Sequence, residues 1–311
     1  MIKYGDIFSG ISCPLFALKQ YLKYNISYEF ACEINKTGQR FLKENHSPKV
    51  LYPDATKLPE TLPKLDLFTA GFPCQPFSSA NKSETRGLNH HAVDYFKYCI
   101  EVIKKSEPKL FILENVAGLT WANNERFYLE VVTALNGLND YVWDKKIMNA
   151  KDYGATHSRN RIFFVGIRKE INMKPKFPEQ LPIKNPLNEL DADAVWEIAD
   201  EEYYDIHNKN LPTEPGIFCL KKQWGIHAKK LTETSHHYAF LTSQPQYHLL
   251  RVSEENIREV RSLTNEECCR IFGLSHKIVS MEKYNMASLL GNGICVNLLM
   301  KLLHENINVI I

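Results

Sequence analysis

The amino-terminal half of the chain alternates short apolar runs with amphipathic stretches. Lys3 to Phe8 reads as a strand. It runs into the small-residue turn Ser9-Gly-Ile-Ser-Cys-Pro14 and gives way to a helix-like Leu15 to Leu22. A second strand, Ile26 to Cys32, ends on Glu33 and a helix follows it. Leu65-Asp-Leu-Phe-Thr-Ala70 is a further strand; Gly71 and Pro73 break it, and Pro76 keeps the chain from entering a helix at once. Ala92 to Lys105 carries a helical stripe at Val93, Phe96, Ile100 and Ile103. Lys109-Leu-Phe-Ile-Leu113 is short and wholly apolar, the pattern of a central parallel strand. Strands and helices in this alternation predict an α/β, doubly wound sheet.

The pattern changes from Lys174. Pro175, Pro178, Pro182 and Pro186 with little periodicity mark a linker. The acidic run Glu189 to Asp205 contains no Lys or Arg and predicts an outward face away from phosphate. From His207 to Tyr238 the balance reverses. Lys221-Lys222-Gln223-Trp224, His227, Lys229-Lys230 and His236-His237-Tyr238 interleave cations with aromatics, which suits either a solvated β-hairpin or a nucleic-acid surface. Arg261 to Gly273 is a helix sentence, with a Thr264–Glu267 capping box and Gly273 at the stop. Gly291-Asn-Gly-Ile-Cys-Val296 leads into an apolar helix ending near Leu303.

Composition narrows the classes. A chain of 311 residues, 44% apolar and 24% charged, suits one or two globular domains. A net charge of +2 provides no global basic field, so any nucleic-acid surface must be local. No stretch is long and apolar enough to span a membrane, and the first residues read as a strand, not a signal peptide. Eight cysteines without a C-x-x-C pair, with Cys268 and Cys269 adjacent, argue against a disulfide framework or zinc site and for a reducing, intracellular setting (cytoplasm or nucleoid, or nucleus in a eukaryote). The doublets His90-His91 and His236-His237 lack metal-ligand spacing.

Several residues are candidates for chemistry. In Gly71-Phe-Pro-Cys-Gln-Pro-Phe-Ser78, prolines hold Cys74 at the carboxyl edge of the sheet, as a buried structural cysteine or as a presented thiol. The strand, turn and helix around Gly10, with Glu33 ending the next strand, follow nucleotide-binding logic, or form a plain βαβ turn. Glu114, at the end of a buried strand, is either a helix-capping acid or a desolvated carboxyl able to donate a proton near neutral pH. Arg159 and Arg161, two apart on entry to a strand, predict two guanidinium groups on one face. The polar stretch Asn81 to His91, with Gly87, reads as a lid.

These stretches resemble, in order, the motifs of the cytosine-C5 DNA methyltransferases. Gly71 to Ser78 resembles the catalytic motif, Asp6-Ile-Phe-Ser-Gly10 the first cofactor motif, and Glu114-Asn-Val the second catalytic motif. Arg159-x-Arg161 matches the family's Gln-x-Arg-x-Arg, with His157 in place of the glutamine; Ser12 and Cys13 stand where glycine is usual. Arg261 to Gly273 resembles the motif ordering the recognition region, and Gly291 to Val296 the closing motif.

The resemblance implies an S-adenosylmethionine-dependent, Rossmann-like fold with a smaller inserted target-recognition domain. The catalytic and cofactor-binding domain would span 1–173, the recognition domain 174–258, and the return to the catalytic domain 259–311. It implies a DNA (cytosine-5-)-methyltransferase that flips a cytosine from double-stranded DNA. Cys74 would attack C6, Glu114 hold N4 and N3, Arg161 donate to O2, and Arg159 place Arg161 or a phosphate. S-adenosylmethionine would meet Phe8, Gly10, Glu33, Asp54, Ala55, Pro73 and Asn292. DNA would meet Ser78, Arg86, Lys221, Lys222, Lys229 and Lys230. The expected protein is a monomer needing no metal and no membrane. An RNA cytosine-C5 methyltransferase and an inactive DNA-binding homologue are the alternatives.

Overall fold

The computed structural model describes residues 1–73, 95–121, 125–199, 212–222, 226–238, 248–274 and 278–311, with the backbone alone at Lys221, Lys222 and Ile226. The chain divides into two compact units. One comprises Met1–Asn149, Asn160–Glu179 and Leu298–Ile311; the other comprises Ala150–Arg159 and Gln180–Asn297.

The first unit is built on β1 (Ile2–Ile7), α1 (Cys13–Phe16), β2 (Ile26–Cys32), α2 (Lys36–Asn45), β3 (Val50–Tyr52), β4 (Leu67–Gly71), α3 (Phe96–Ser106), β5 (Leu110–Val116), α4 (Glu125–Asn136), β6 (Tyr141–Asn149) and β7 (Asn160–Arg168). Its sheet has the order β3-β2-β1-β4-β5-β7-β6. The first five strands are mutually parallel, and β7 runs antiparallel to both β5 and β6. The α/β architecture is as expected, and β5 is central, with Leu110 to Asn115 buried. The helix expected over Leu15 to Leu22 forms differently: α1 is one turn and continues as a π-helical turn, Ala17–Tyr21. α3 buries Phe96, Ile100 and Ile103 as its stripe predicts; Val93 lies outside the described residues.

The second unit carries an antiparallel sheet of β8 (Glu197–Ile198), β9 (Gly216–Lys222), β10 (Ile226–Lys230), β11 (Leu249–Val252) and β12 (Arg258–Arg261), in the order β10-β9-β11-β12-β8. The helix Asn265–Phe272 has the expected cap. Thr264 Oγ1 accepts the Glu267 N–H, Glu267 Oε2 accepts the Thr264 N–H, and Gly273 ends the helix at φ 81.

Contacts place residues 259–297 with this unit, whereas the sequence boundary at 258/259 returns them to the catalytic domain. The reason is a buried charge network. Glu267, fully buried, takes both Arg261 Nη atoms at 2.7 Å and the Asp191 N–H at 2.8 Å. Arg270 donates to Asp191 Oδ1 at 2.6 Å and to the Glu189 carbonyl. The acidic run is therefore no outward face at its start: Glu189 to Asp191 is fastened to a helix, and residues 200–205 lie outside the described set.

Candidate active site

The parallel strands of the first unit end together. Across the ladders Ile7 pairs with Cys32 and with Ala70, and Gly71 pairs with Glu114. After β1 the backbone turns through left-handed conformations at Phe8 (φ 55), Gly10 (φ 55) and Ser12 (φ 49). Gly10 is the residue suited to this path. Its N–H donates to Glu33 Oε2 at 2.7 Å, and the Asn35 N–H donates to Glu33 Oε1 at 2.7 Å. The Glu33 carboxylate is thus aimed by two backbone donors while keeping lone pairs for a ligand's hydroxyls. Burial pushes its carboxyl up; these N–H groups pull it partly back.

Helix α2 approaches closely because Gly38 has no side chain: a Cβ there would lie 2.9 Å from Glu33 Cγ and 3.1 Å from the Gly10 carbonyl. Phe8 is half-buried and meets Tyr95 edge-on, with 5.9 Å between centroids. Asp54 follows β3 and caps the turn Ala55–Lys57, accepting from Thr56 N and Oγ1 at 2.9 and 2.8 Å; those bonds hold its carboxyl below the usual range. Ala55 is buried beneath it, and Pro73 is half-buried beyond β4. Cys32, also at this edge, is no nucleophile. Burial first, then Glu33, Asp6 and Asp54, push its thiol to about 12.

The neighbouring strand ends gather a second group. Because β7 is antiparallel to β5, its first residues meet the carboxyl end of β5. Arg161 pairs with Val116, and its Nε lies 2.7 Å from Glu114 Oε1. Arg161 Nη1 donates to the Asn160 carbonyl at 2.8 Å, fixing the guanidinium plane. Asn115, fully buried, donates from Nδ2 to the Phe72 carbonyl at 3.1 Å and accepts the Val116 N–H on Oδ1. It thereby ties the end of β5 to the residue before Pro73. Cys74, Ser78, Arg86 and the lid stretch Asn81 to His91 lie outside the described residues.

The alternation argument fails at Arg159. β7 starts at Asn160, and Arg159 belongs to the second unit, 5% exposed, with Nη2 donating to the carbonyls of Gly291 and Gly293 at 3.0 and 2.7 Å. It fastens the closing turn. His157, in place of the family's glutamine, stacks on Phe272 at 4.3 Å and bonds the Ile271 carbonyl through Nδ1. Asn292, also in the second unit, follows the helix Met286–Gly291, with Nδ2 3.5 Å from the Ser288 carbonyl. Lys221 and Lys222 lie on β9, and Lys229 and Lys230 on β10, so the cation-rich segment is a β-hairpin. Adjacent residues of a strand face opposite ways. Lys229 Nζ lies over the Tyr238 ring at 4.7 Å, and Lys230 Nζ pairs with Glu214 at 3.4 Å.

Three residues at the first unit's edge go unmarked by sequence reasoning. Asn115 is legible only as the middle of Glu-Asn-Val. Ile34, 70% exposed directly after Glu33, is an apolar residue where a strand-ending acid would be followed by polar chain. Tyr95 precedes α3 and has no local signal at all.

A sheet whose parallel strands deliver a backbone-aimed carboxylate and a carboxylate–guanidinium pair to one edge has the layout in which open α/β folds place their ligand sites. Comparison with known proteins is more specific. The family model for C-5 cytosine-specific DNA methylase matches residues 2–308, and the chain belongs to that family. The type II methyltransferase M.FnuDI of Fusobacterium nucleatum is 32% identical over 173 residues, 55% of this chain and 48% of that protein. M.NgoBI of Neisseria gonorrhoeae is 34% identical over 195 residues, 61% and 57% of the two chains. In these alignments the chain spans about half the length of the curated relatives it matches. Among solved structures, the Entamoeba histolytica methyltransferase EhMeth superposes with a TM-score of 0.67 at 17% identity, covering 99% of this chain and 98% of that one. S. pombe Dnmt2 methyltransferase gives 0.64 at 17%, covering 97% and 96%. Both likenesses are of fold.

Proposed function

We propose that the protein is a DNA (cytosine-5-)-methyltransferase using S-adenosylmethionine. The observation that carries this reading is the pairing of Gly71 with Glu114, with Arg161 held on that carboxylate. It brings an acid and a cation beside the strand that leads, three residues on, to Cys74. The cofactor edge fits the proposed methyl donor: Glu33 offers lone pairs to ribose hydroxyls, Phe8 and the exposed Ile34 offer apolar surface to a ring, and Asp54 follows β3. S-adenosylmethionine supplies an electrophilic methyl group on a sulfonium.

The residues then act on cytosine. The Cys74 thiolate forms a bond to C6, and the C5=C6 pair of electrons moves onto C5, which takes the methyl group. Glu114 holds N4 and N3; protonated from solvent as the base enters, it gives N3 that proton as charge builds there and takes it back when the thiolate departs. Among the described residues Arg161 Nη2 has no partner, and we assign it to cytosine O2. The C5 proton leaves to a base, the C5=C6 bond re-forms, and the thiolate departs. Such attack needs both faces of the ring, so the base must leave the duplex stack.

The test uses duplex DNA with 5-fluorocytosine. Fluorine at C5 cannot leave as a proton, so methyl transfer should trap protein on DNA through sulfur, only with S-adenosylmethionine present. Cys74→Ala should abolish the trap. An RNA enzyme would trap on fluorinated RNA instead, and an inactive homologue on neither.

A further inference from the structure

Beneath the Phe8–Gly10 turn a carboxylate is surrounded by hydroxyls. Asp6, 2% exposed, accepts Tyr4 Oη at 2.8 Å and Ser12 Oγ at 2.6 Å on Oδ2, and Ser9 Oγ and Tyr28 Oη, each at 2.6 Å, on Oδ1. Thr69 backs the cage, 2.7 Å from Tyr4 Oη. Because the one Tyr4 proton goes to Asp6, Thr69 is the donor there. Four hydroxyls within 2.8 Å of its two oxygens form a set able to stabilise the ionised carboxyl by donating to it. Among the described residues no Lys or Arg pairs with it. Burial pushes the Asp6 carboxyl up, and the hydroxyls of Ser12, Ser9, Tyr28 and Tyr4 pull it back.

Ser12 is the telling member. Its φ of 49 is a conformation in which glycine is cheaper than any L side chain. A serine here keeps that backbone cost and contributes a hydroxyl to Asp6. Ser9 extends the cage sideways, since its Oγ also accepts the Cys32 N–H at 3.0 Å, next to Glu33. The cage therefore fixes the turn that carries the Gly10 N–H and the strand end that carries its Glu33 acceptor.

We infer that Ser12 and the Asp6 hydroxyl cage are the positioning device of the cofactor turn, holding Phe8 to Ser12 in their left-handed path ahead of ligand. The inference rests on the reading of this edge as an S-adenosylmethionine site. Its members are positioning residues: they act through Gly10, Phe8 and Glu33.

The experiment titrates S-adenosylmethionine into wild type, Ser12→Gly and Tyr28→Phe by calorimetry across mildly acidic to mildly basic pH, with melting temperatures alongside. Ser12→Gly relieves the backbone, so it should melt close to wild type. Its Kd should nevertheless rise roughly ten- to hundred-fold, the range for one lost hydrogen bond to a charged group. Tyr28→Phe should act in the same direction, because Tyr28 Oη bonds Asp6 and lies one strand away.

A purely structural role would leave the pH profile alone. Losing a donor lets Asp6 hold its proton more readily, so affinity in both variants should start to fall at a higher pH than in wild type. The titratable groups around Asp6 are Tyr4, Tyr28, Cys32 and Glu33. The first three stay protonated in this range, and Tyr28→Phe leaves the Glu33 contacts untouched. Binding within two-fold of wild type and an unshifted profile in both variants would overturn the inference while the site reading stood. No binding by wild type would overturn the site reading, and the inference with it.

Discussion

Arg161 Nε lies 2.7 Å from Glu114 Oε1, between side chains only 17% and 10% exposed. They are diagonal neighbours across the antiparallel β5–β7 ladder, since Arg161 pairs with Val116 two residues beyond Glu114. A parallel β7 would start at the opposite edge and leave the carboxylate without its cation. The reversal of one strand thus sets the charge balance at the proposed base site.

Breaking so dry a pair leaves one charge behind. Arg161→Ala should cost about 3–5 kcal/mol in urea denaturation. Arg161→Lys should recover little of it, because one ammonium cannot both lie beside Glu114 and reach the Asn160 carbonyl as the longer guanidinium does. Glu114→Gln should slow methyl transfer by roughly 10²–10⁴-fold. Single-turnover kinetics close to wild type would remove Glu114 from the proton-transfer role.

At the cofactor edge, Gly38→Ala should weaken S-adenosylmethionine binding without unfolding the chain. The added methyl would meet Glu33 Cγ at 2.9 Å, and Glu33 cannot swing away without losing the Gly10 and Asn35 N–H groups. Losing one such bond predicts roughly ten-fold weaker affinity in calorimetry. Equal affinity would mean that α2 shifts and Glu33 stays aimed.

How much of this was legible in the sequence follows from where the signals are local. The capping box at Thr264 and Glu267 is a four-residue pattern, and it forms as read. The strands ending at Ile7, Cys32, Gly71 and Val116 are short apolar runs punctuated by turn residues, and they lie in the expected α/β sheet. β3 has only three residues between Pro48 and Pro53, too few to show a period. β6 carries Asp144, Lys145 and Lys146 on an exposed sheet edge, where charge guards against further pairing and hides the strand from a hydrophobic reading. Arg159 departs from the local reading because its guanidinium is taken by the carbonyls of Gly291 and Gly293, partners far along the chain that no two-residue spacing reveals. The Asp6 cage draws on Tyr4, Ser9, Ser12 and Tyr28, which no linear motif joins.

Acid should loosen the second unit. Burial holds His237 and His248 at about 4, and His237 Nε2 lies 3.2 Å from the Pro186 carbonyl. Both are neutral in the fold and protonate near 6.5 once unfolded. The unfolded chain therefore binds more protons between those values. Stability is fully present above about pH 6.5 and is lost as pH falls toward 4, by about 3 kcal/mol for each histidine. His237→Gln should be less stable than wild type at neutral pH, and the gap should narrow at pH about 5, within that titration window. A gap independent of pH would show that His237 already titrates normally in the fold.

The hairpin offers the last prediction, because β10 divides two lysines that look equivalent in sequence. Lys229 lies over the Tyr238 ring, its Nζ shielded from solvent with no hydrogen-bond partner among the described residues. Burial, and then Lys151 nearby, push its ammonium below the ordinary lysine range. Lys230 lies on the other face of the strand, and among the described residues its ionic partner is the exposed Glu214. DNA lying along one face of this strand can reach one of the two. If the hairpin meets phosphate through Lys230, Lys230→Ala should weaken duplex binding and lower the slope of log K against log salt by about 0.9, one released counterion. Lys229→Met keeps the packing on Tyr238 and removes a poorly solvated charge, so its affinity and slope should match wild type. Filter binding over a salt series reads both. A reduced slope in Lys229→Met with none in Lys230→Ala would assign the Tyr238 face to DNA. Unchanged slopes in both would take β10 out of the interface.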